Sequence, residues 1–359
     1  MLKKKVIFLT LDITLIGGVE RMLSTLTPYF LKLNDFEIEI ISIFNSNNRN
    51  KFLIPNVHVK YKSKLKFSIE NKLESFISYF TILLSVLSLK RNSNTIYIST
   101  FPNISIFFLL FKGNRNFIVS EHAQFNAHGR MLNGIRKILY KKSKCITLLT
   151  KNQHIIFSKF CNSHHLHIIP NPIIKKAFEL QCKEFSIITV GRLVPEKGYN
   201  IFLKVIAEIK KIIPQIQVEI IGNGPEKSNL INLINDYNLN SVVKIIENVT
   251  NIEMYLSKSK VFVVTSTTES FGLAMLESLS IGIPVVAFDA GDGPKSLIID
   301  NYNGYLVQFG DIKQLERKII DILHLNDNEW KILSNNAIKS SEEYYVQNIY
   351  TKWKLLLNQ

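Results

Sequence analysis

The sequence predicts an α/β protein with two doubly wound parallel sheets. Short, strongly apolar segments of strand length alternate with helix-length segments along the 359 residues. Strands of this composition are buried on both faces, which is typical of parallel sheets covered by helices. The alternation stops at "PNP" (Pro170–Pro172) and then starts again. The chain is therefore expected to form two domains of ordinary size with a cleft between them.

In the first half, the strands are predicted from short runs of β-branched, leucine and aromatic residues. The first helix begins near Val19 and keeps apolar residues at helical spacing as far as Leu33. Pro28 falls inside it and is expected to kink or shorten it. A second helix covers Ile69–Leu89, and a basic segment, Gly129–Lys144, follows the fourth strand. The predicted strands are Val6–Leu11, Glu37–Phe44, Thr95–Thr100, Asn116–His122, Cys145–Thr150 and Leu166–Pro172.

The second half repeats the pattern, with apolar residues in helical register over Gly198–Ile213. Further helices are predicted over Lys227–Asn238, from Phe271–Gly272 onward and over Ile312–Leu325. The tail Ser341–Leu357 carries one apolar helical stripe. The predicted strands are Phe185–Leu193, Val218–Gly224, Val242–Val249, Val261–Ser266, Pro284–Asp289 and Gly304–Gly310.

Composition excludes several classes of protein. A content of 46% hydrophobic and 20% charged residues argues against disorder. The three cysteines, Cys145, Cys161 and Cys182, show no C-x-x-C spacing, which argues against a zinc site or a disulfide framework and fits a reduced cytosol. The lysine-rich start is interpreted as a buried strand because no cleavage site follows it. The apolar stretches Ser75–Leu89 and Thr95–Phe111 are short or split by proline, so no membrane span is predicted.

The excess of positive over negative charge lies entirely in the first half of the chain. Residues 1–170 carry 24 Lys and Arg against 8 Asp and Glu, whereas residues 171–359 carry 20 against 21. Such asymmetry favours an anionic partner for the first domain: nucleic acid, an anionic bilayer or a phosphorylated acceptor. A lysine-rich solubilising surface in a sequence of biased composition is the alternative.

Three loops of the second half follow predicted strands and carry polar or glycine residues. "VGRLVPEKG" supplies the cations Arg192 and Lys197, which suit a diphosphate unless they are merely solvated loop charges. "IIGNGPEK" supplies Gly222 and Gly224, which could approach a nucleotide or simply end a strand. In open α/β sheets, ligands bind beyond the carboxyl ends of the strands, where these loops lie.

The third loop, "TESFGLAMLES", leads from a strand into a helix. The unpaired N–H groups of a helix start and its dipole form an anion site, and Gly272 lets a ligand approach the backbone. Glu269 stands at the mouth of this site and Glu277 two turns into the helix. Glu269 and Ser270 could alternatively cap the helix, in a purely structural role.

Five motifs occur in order: "GGVERML", "IIPNP", "VGRLVPEKG", "IGNGP" and "ESFGLAMLESLSIGIPVVA". Together they resemble the retaining glycosyltransferases of family 4, which have the GT-B fold. The resemblance implies an acceptor-binding Rossmann-like domain over residues 1–170, a nucleotide-sugar domain over 171–340, and a C-terminal helix, 341–359, that packs back on the first domain. It covers nearly the whole chain and is strongest from Ile169 to Val307.

The resemblance also implies roles for residues of the second domain. Arg192 and Lys197 would hold the diphosphate and stabilise the departing nucleotide, helped by backbone N–H groups near the helix start. Glu277 would bind the ribose, and Glu269 would bind sugar hydroxyls near the reacting carbon. The remaining residues that the resemblance assigns to the donor here are Gly222, Gly224, Asn248, Val249, Ser270, Phe271, Gly272 and Leu273.

In the first domain, the resemblance places Gly17 and Gly18 near the phosphates and His122 near the transferred sugar. His122 is alternatively a satisfied histidine at a strand end, and Glu121 competes with it for the role. His128 and Arg130 would meet the acceptor. The catalytic set is thus Glu269, His122, Arg192 and Lys197.

No bound metal or other cofactor is expected, because such GT-B enzymes usually work without one. "HHLH" (His164–His167) has neither acidic partners nor helical histidine spacing, and the chain contains no D-x-D. Lys295 and Ser296 stand where the family often has a carboxylate, so sugar contacts there are in doubt.

The resemblance therefore implies transfer of a hexose or N-acetylhexosamine from a UDP-sugar to a lipid-linked glycan of a capsule, O-antigen or lipooligosaccharide. The enzyme would work in the cytoplasm, on the inner face of a bacterial inner membrane. Alternatives are a sugar-nucleotide epimerase, a basic nucleic-acid-binding protein and a dinucleotide-dependent oxidoreductase. No nucleic-acid motif occurs, and the turn after the first strand is not G-x-G-x-x-G.

Overall fold

The computed structural model describes residues 3–47, 52, 54–90, 92–113, 116–176, 178–181 and 184–359. Cys182 therefore lies outside the described residues. Two compact units account for these residues. The first runs to Ile174 and includes Tyr344–Gln359, and the second is Lys175–Glu343. Each unit contains one parallel sheet of the kind that the apolar strand segments predict.

The described part of the first unit has a parallel sheet in the order β3-β2-β1-β4-β5-β6-β7. Alternate residues of β1 enter two separate cores: Ile7 and Leu9 pack on one face, Val6 and Phe8 on the other. The sheet is thus buried on both faces, which explains why its strands are almost continuously apolar. The strands are β1 (Lys5–Thr10), β2 (Glu37–Ser42), β3 (His58–Tyr61), β4 (Thr95–Ser99), β5 (Phe117–Ser120), β6 (Cys145–Leu148) and β7 (Leu166–Ile168).

The C-terminal helix belongs to the first unit. Trp353 packs edge-on against Phe8 with ring centroids 6.2 Å apart, and Tyr350 packs against Phe30 at 4.9 Å. The Tyr350 hydroxyl also donates to the carboxylate of Asp35. The helices of this unit are α1 (Gly18–Leu33), α2 (Lys72–Leu87), α3 (Pro102–Phe111), α4 (Arg130–Leu139), α5 (Lys151–Ser158) and α13 (Val346–Asn358).

The second unit has the strand order β10-β9-β8-β11-β12-β13 within its described residues. The order reverses between β8 and β11, which places a crevice at the carboxyl ends of these two strands. The strands are β8 (Ser186–Val190), β9 (Gln217–Ile221), β10 (Val243–Ile246), β11 (Val261–Val264), β12 (Val285–Phe288) and β13 (Gly304–Val307). The helices are α6 (Tyr199–Ile212), α7 (Lys227–Asp236), α8 (Glu253–Leu256), α9 (Leu273–Ser280), α10 (Asp292–Leu297), α11 (Ile312–Leu323) and α12 (Asp327–Ser341).

Proline positions account for two differences from the sequence prediction. Pro28 lies inside α1 without shortening it, since the helix continues to Leu33. Pro102 starts α3 rather than merely dividing an apolar stretch, because the first turn of a helix needs no N–H from that residue.

No helix in the described ranges combines the length and the apolar character that crossing a bilayer requires.

Candidate active site

The loops after the two central strands of the second sheet are tied together by hydrogen bonds. The hydroxyl of Thr265, after β11, donates to the carbonyl of Lys197, after β8, at 3.1 Å. The N–H of Thr267 donates to the carbonyl of Glu196 at 2.8 Å. Gly198 adopts φ +65°, and a Cβ there would lie 2.1 Å from the carbonyl oxygen of Thr265. Glycine at 198 therefore allows the contact that brings the two loops together.

This packing joins two of the predicted site residues. Nζ of Lys197 lies 2.5 Å from Oε2 of Glu269, and both side chains are largely shielded from solvent. Arg192, on the same loop as Lys197, is exposed. Its guanidinium pairs with no carboxylate among residues that the structure describes. The crevice at the carboxyl ends of β8 and β11 thus contains the ammonium of Lys197 in contact with the carboxylate of Glu269. The guanidinium of Arg192 is nearby in the sequence.

Tyr199 lies beneath this pair, and sequence reasoning did not select it. Burial, followed by the negative charge of Glu269, raises the pKa of its hydroxyl. A Cβ at Gly191 would lie 3.0 Å from that hydroxyl oxygen. The hydroxyl of Tyr199 therefore stays protonated and neutral at physiological pH.

Helix α9 follows β11, one of the two strands at the switch point. Gly272 precedes the helix at φ +88°, a conformation that favours glycine. The N–H of Glu269 donates to the carbonyl of Ala290 at 2.8 Å, and the N–H of Gly293 donates to the carbonyl of Glu269 at 3.0 Å. A Cβ at Gly293 would lie 2.4 Å from the carbonyl oxygen of Phe271. The loop after β12 thus fixes the backbone in front of α9.

The other residues predicted around α9 differ in exposure. Ser270, Gly272 and Leu273 are half-buried, whereas Phe271 is buried. Glu277, on the second turn, is 8% exposed. The inner of the two glutamates is therefore enclosed by the fold and does not point freely into water.

Gly222 and Gly224 have a packing role that the sequence did not reveal. A Cβ at Gly222 would lie 1.8 Å from the carbonyl oxygen of Gly191, and one at Gly224 would lie 2.3 Å from that of Leu193. The N–H of Leu193 also donates to the carbonyl of Asn223 at 2.8 Å. These glycines let the loop after β9 press on the loop that carries Arg192.

Asn248 and Val249 lie after β10, at the next position along the sheet. The N–H of Asn248 donates to Oδ1 of Asn223 at 3.1 Å, and Asn248 adopts φ +56°. Asn248 is exposed and Val249 half-buried. The loops after β10, β9, β8, β11 and β12 are therefore joined into one continuous edge.

Lys295 and Ser296, the departures from the family pattern, lie on α10. Nζ of Lys295 is 3.2 Å from Oδ2 of Asp289, and the Ser296 hydroxyl donates to the carbonyl of Asp292 at 2.7 Å. Oδ1 of Asp289 is shielded from solvent and has no hydrogen-bond partner within the described residues. Asp289 is thus a carboxylate at the end of β12 that the sequence analysis did not single out.

The predicted residues of the first unit also follow strands of their sheet. Gly17 and Gly18 lie at the start of α1, after β1, and a Cβ at Gly17 would lie 2.5 Å from Oε2 of Glu20. His122 follows β5, and its Nε2 is 3.0 Å from the hydroxyl of Ser120. Its Nδ1 is shielded from solvent and finds no partner in the described parts of the chain. One ring nitrogen of His122 is thus available for a ligand.

Glu121 does not compete with His122, because both of its carboxylate oxygens are already bonded. Oε2 is 2.5 Å from Nη2 of Arg136, and Oε1 accepts from the hydroxyl of Tyr140 at 2.7 Å. Arg136 is fully buried and Glu121 is 2% exposed. The guanidinium also donates to the carbonyl of Phe125 at 3.3 Å. Glu121 and Arg136 therefore brace the segment that carries His122.

His128 and Arg130 lie on the loop that enters α4. Arg130 is exposed, His128 is half-buried, and the amide of Asn133 donates to the His128 carbonyl at 2.9 Å. Nε2 of His128 is shielded and lacks a partner among the described residues. Burial, and then the charge of Arg136, lowers the pKa of this histidine.

Burial lowers the pKa of His122 to about 4, from about 6.5 in an unfolded chain. Between pH 6.5 and pH 4, His122 gains a proton in the unfolded chain but stays neutral in the folded protein. Protonation therefore favours the unfolded chain, and the free energy of unfolding falls as the pH falls from 6.5 towards 4. We expect the His122→Asn variant to lose less of its unfolding free energy over this pH range than the wild type. Urea titrations at several pH values would measure this, and equal losses would contradict it.

Within the described residues, no group of three or more His, Cys, Asp and Glu side chains could hold a metal ion. In the "HHLH" segment, His165 is engaged with the backbone, since its Nε2 lies 3.1 Å from the carbonyl of Ser143.

Comparisons with known proteins bear on the family and the fold. Residues 171–340 match the family model described as "Glycosyl transferases group 1". The chain is 26% identical over 365 residues to an "Uncharacterized glycosyltransferase" of Haemophilus influenzae, which covers 99% of this chain and 100% of that relative.

A second relative is named for a specific transfer. The chain is 26% identical over 354 residues to the "GalNAc-alpha-(1->4)-GalNAc-alpha-(1->3)-diNAcBac-PP-undecaprenol alpha-1,4-N-acetyl-D-galactosaminyltransferase" of Campylobacter jejuni, with 95% of each chain covered.

Among solved structures, a TarM variant of S. aureus in complex with fondaparinux, alpha-GlcNAc-glycerol and UDP matches with a TM-score of 0.81. Its sequence identity is 18%, and the match covers 99% of this chain and 100% of the TarM chain. The likeness shows the fold, which is that of GT-B glycosyltransferases. Residues 171–340 of this protein therefore form a group 1 glycosyltransferase domain within a chain of GT-B fold.

Proposed function

We propose that this protein is a retaining, family 4 glycosyltransferase that transfers a hexose or N-acetylhexosamine from a UDP-sugar to a lipid-linked glycan. The observation that carries the proposal is the contact of Lys197 with Glu269 at the switch point of the second sheet. Arg192 is on the same loop as Lys197, and Glu269 precedes α9. Cations and backbone donors suit a diphosphate, and carboxylates beside them suit sugar hydroxyls.

The cations give the diphosphate its site. Arg192 would form a bidentate contact with phosphate oxygens, Lys197 would supply a point charge, and the first N–H groups of α9 would complete the site. When the bond between sugar and phosphate breaks, negative charge grows on the leaving UDP. These groups offset that charge in place and without a bound metal ion.

The carboxylates would hold the two sugars of the donor. Glu277, enclosed on the second turn of α9, would accept hydrogen bonds from the ribose hydroxyls, while Glu269 would bind the transferred sugar near its reacting carbon. His122 is neutral at physiological pH, since burial lowers its pKa to about 4, and its unpartnered Nδ1 could bond a sugar hydroxyl. The configuration at the reacting carbon of the sugar would be retained if the acceptor attacks from the face that the phosphate leaves. A phosphate oxygen would then take the proton of the acceptor hydroxyl.

The names of similar proteins support the substrate classes. A TarM variant has been solved with UDP and alpha-GlcNAc-glycerol, and the Campylobacter enzyme is named for an undecaprenol-linked acceptor. Another relative, 22% identical over 355 residues, is the amylovoran biosynthesis glycosyltransferase AmsD of Erwinia amylovora. We accordingly propose a role in a bacterial surface polysaccharide, with the acceptor near His128 and Arg130 and the enzyme peripheral on the inner face of the inner membrane.

A panel of nucleotides tests the donor site directly. Thermal unfolding of the full chain would be followed with UDP, GDP, ADP and a set of UDP-sugars, with uridine as the control that lacks phosphate. A ligand at one hundred times its Kd adds about 2.7 kcal/mol to the unfolding free energy, so we expect UDP and one or two UDP-sugars to raise Tm most. Stabilisation by GDP instead of UDP would show that the proposed base is wrong but would leave the diphosphate site standing. No stabilisation by any diphosphate would refute the site.

A further inference from the structure

Helix α2 turns its larger apolar side chains to solvent. Its buried face consists of Ser78, Ile82, Ser85 and Val86, two of which are serines. The opposite stripe recurs at spacings of one, three and four residues, so it forms one continuous helical face. This α2 stripe consists of Leu73, Phe76, Ile77, Phe80, Leu84 and Leu87, whose exposed fractions run from 42% for Ile77 to 69% for Leu73.

The α2 stripe includes two stacked rings and extends beyond the helix. The rings of Phe76 and Phe80 stack on each other, with centroids 5.9 Å apart and planes 8° from parallel. Leu65 and Ile69, in the segment that leads into α2, are 50% and 58% exposed. Soluble proteins seldom leave so many contiguous apolar side chains in water unless the surface binds a partner.

Lysines surround the α2 stripe with little compensating negative charge. The segment between β3 and β4 exposes Lys62, Lys64, Lys66, Lys72 and Lys90, and none of them pairs with a carboxylate in the described residues. The segment's two acids are Glu70 and Glu74, and Glu74 is already bonded to the hydroxyl of Ser68. Partial burial, and after it the charge of the neighbouring Lys60, lowers the pKa of Lys62.

We propose that the α2 stripe docks this protein on an anionic lipid bilayer, with α2 lying in the plane of the interface. Sixteen residues give a helix of about 24 Å, too short for a span of about 20 residues, so α2 can lie in the headgroup region but not cross it. The inference names the membrane-contacting surface for the peripheral attachment proposed above. It rests on that part of the proposed function and not on the donor site.

Charge favours a bilayer over a second copy of the chain. In a symmetric dimer the same patch meets itself, so the lysines around one α2 stripe would face those around the other. Anionic headgroups instead attract each lysine near the surface while the apolar side chains enter the boundary with the acyl chains.

Flotation of the full chain with vesicles tests the inference. Vesicles would contain phosphatidylcholine with 30% phosphatidylglycerol, or phosphatidylcholine alone. We expect binding to the anionic vesicles that weakens as salt rises, and a Phe76→Ser/Phe80→Ser variant that binds at least about tenfold more weakly. The matched control is Ile212→Ser/Ile332→Ser, which removes two exposed isoleucines of the second unit and should bind like the wild type.

Two further measurements keep this result separate from the donor site and from self-association. A charge variant, Lys64→Glu/Lys66→Glu, should lose binding, whereas its control Lys313→Glu/Lys331→Glu should not. Calorimetric titration with UDP should give the same Kd for the phenylalanine variant as for the wild type. Equal vesicle binding by wild type and the phenylalanine variant would overturn the inference. So would a wild-type dimer that the phenylalanine variant converts to monomer without any vesicle binding.

Discussion

The kcat of the Lys197→Met variant is expected to be lower by a factor of about 10²–10³. Removing one preorganised group that stabilises a developing negative charge has an effect of that size. The side chain touches Glu269 at 2.5 Å and lies at the switch point of the second sheet. The measurement is the steady-state rate with the UDP-sugar that stabilises the protein most. Lys204→Met is the matched control, since Lys204 is an exposed lysine on the following helix α6 and should leave kcat unchanged.

The same experiment separates catalysis from simple pairing. If Lys197 only neutralised Glu269, then Lys197→Met and Glu269→Gln would lower the unfolding free energy and leave kcat within about twofold. That outcome would contradict the proposed role. In the proposed mechanism each variant loses turnover, and the double variant loses less than the product of the two single losses, because the two side chains contact each other.

Arg136→Met is expected to lower the unfolding free energy of the first unit by about 3–5 kcal/mol, because it leaves the carboxylate of Glu121 buried without its cation. Burial alone would lower the pKa of Arg136, but the attraction of Glu121 outweighs this and raises it. Guanidinium contacts with the rings of Phe125 at 4.9 Å and Phe157 at 5.8 Å would be lost as well.

Urea unfolding followed by the fluorescence of Trp353 would measure this in a Trp330→Phe background, since the chain has one tryptophan in each unit. Lys354→Met, which breaks a partly exposed pair with Asp35 at 2.8 Å, serves as the control and should cost no more than about 1 kcal/mol. Replacing both buried partners, Glu121→Leu with Arg136→Met, should recover much of the loss. A single Arg136→Met loss below about 1 kcal/mol would show that the pair does not brace the fold.

The strands and long helices of this protein could be predicted because their signal is local. Buried parallel strands are apolar runs, and α6 repeats its apolar residues at helical spacing. The edge strand β3, "HVKY", alternates polar residues with Val59 and Tyr61, so no continuous apolar run marks it. Helix α12 was missed because it is mostly polar. Its start is nevertheless marked by a capping box in which Asn326 and Glu329 bond each other's backbone N–H groups.

The predicted tail helix shows how a boundary goes wrong. The sequence places one helix over Ser341–Leu357, whereas the structure ends α12 at Ser341, passes through a short 3₁₀ turn and starts α13 at Val346. The apolar stripe of the tail packs on the first unit, but nothing in its periodicity marks this break.

The candidate site was predictable where residue type and position after a strand suffice. Arg192, Lys197 and Glu269 were selected on those grounds, and the structure places the last two in contact. Tyr199, Asp289 and Arg136 escaped because their importance depends on burial and on partners distant in sequence. In the sequence, Arg136 looks like any other cation of a basic helix. In the structure it is fully buried against Glu121.

The most direct test of the central claim is a crystal structure of the full chain with UDP. We expect the diphosphate within about 3 Å of the Lys197 ammonium and the Arg192 guanidinium, at the start of α9, with the ribose hydroxyls on the carboxylate of Glu277. UDP bound at another place on the molecule, or a Glu277 carboxylate with no contact to the ribose, would contradict it.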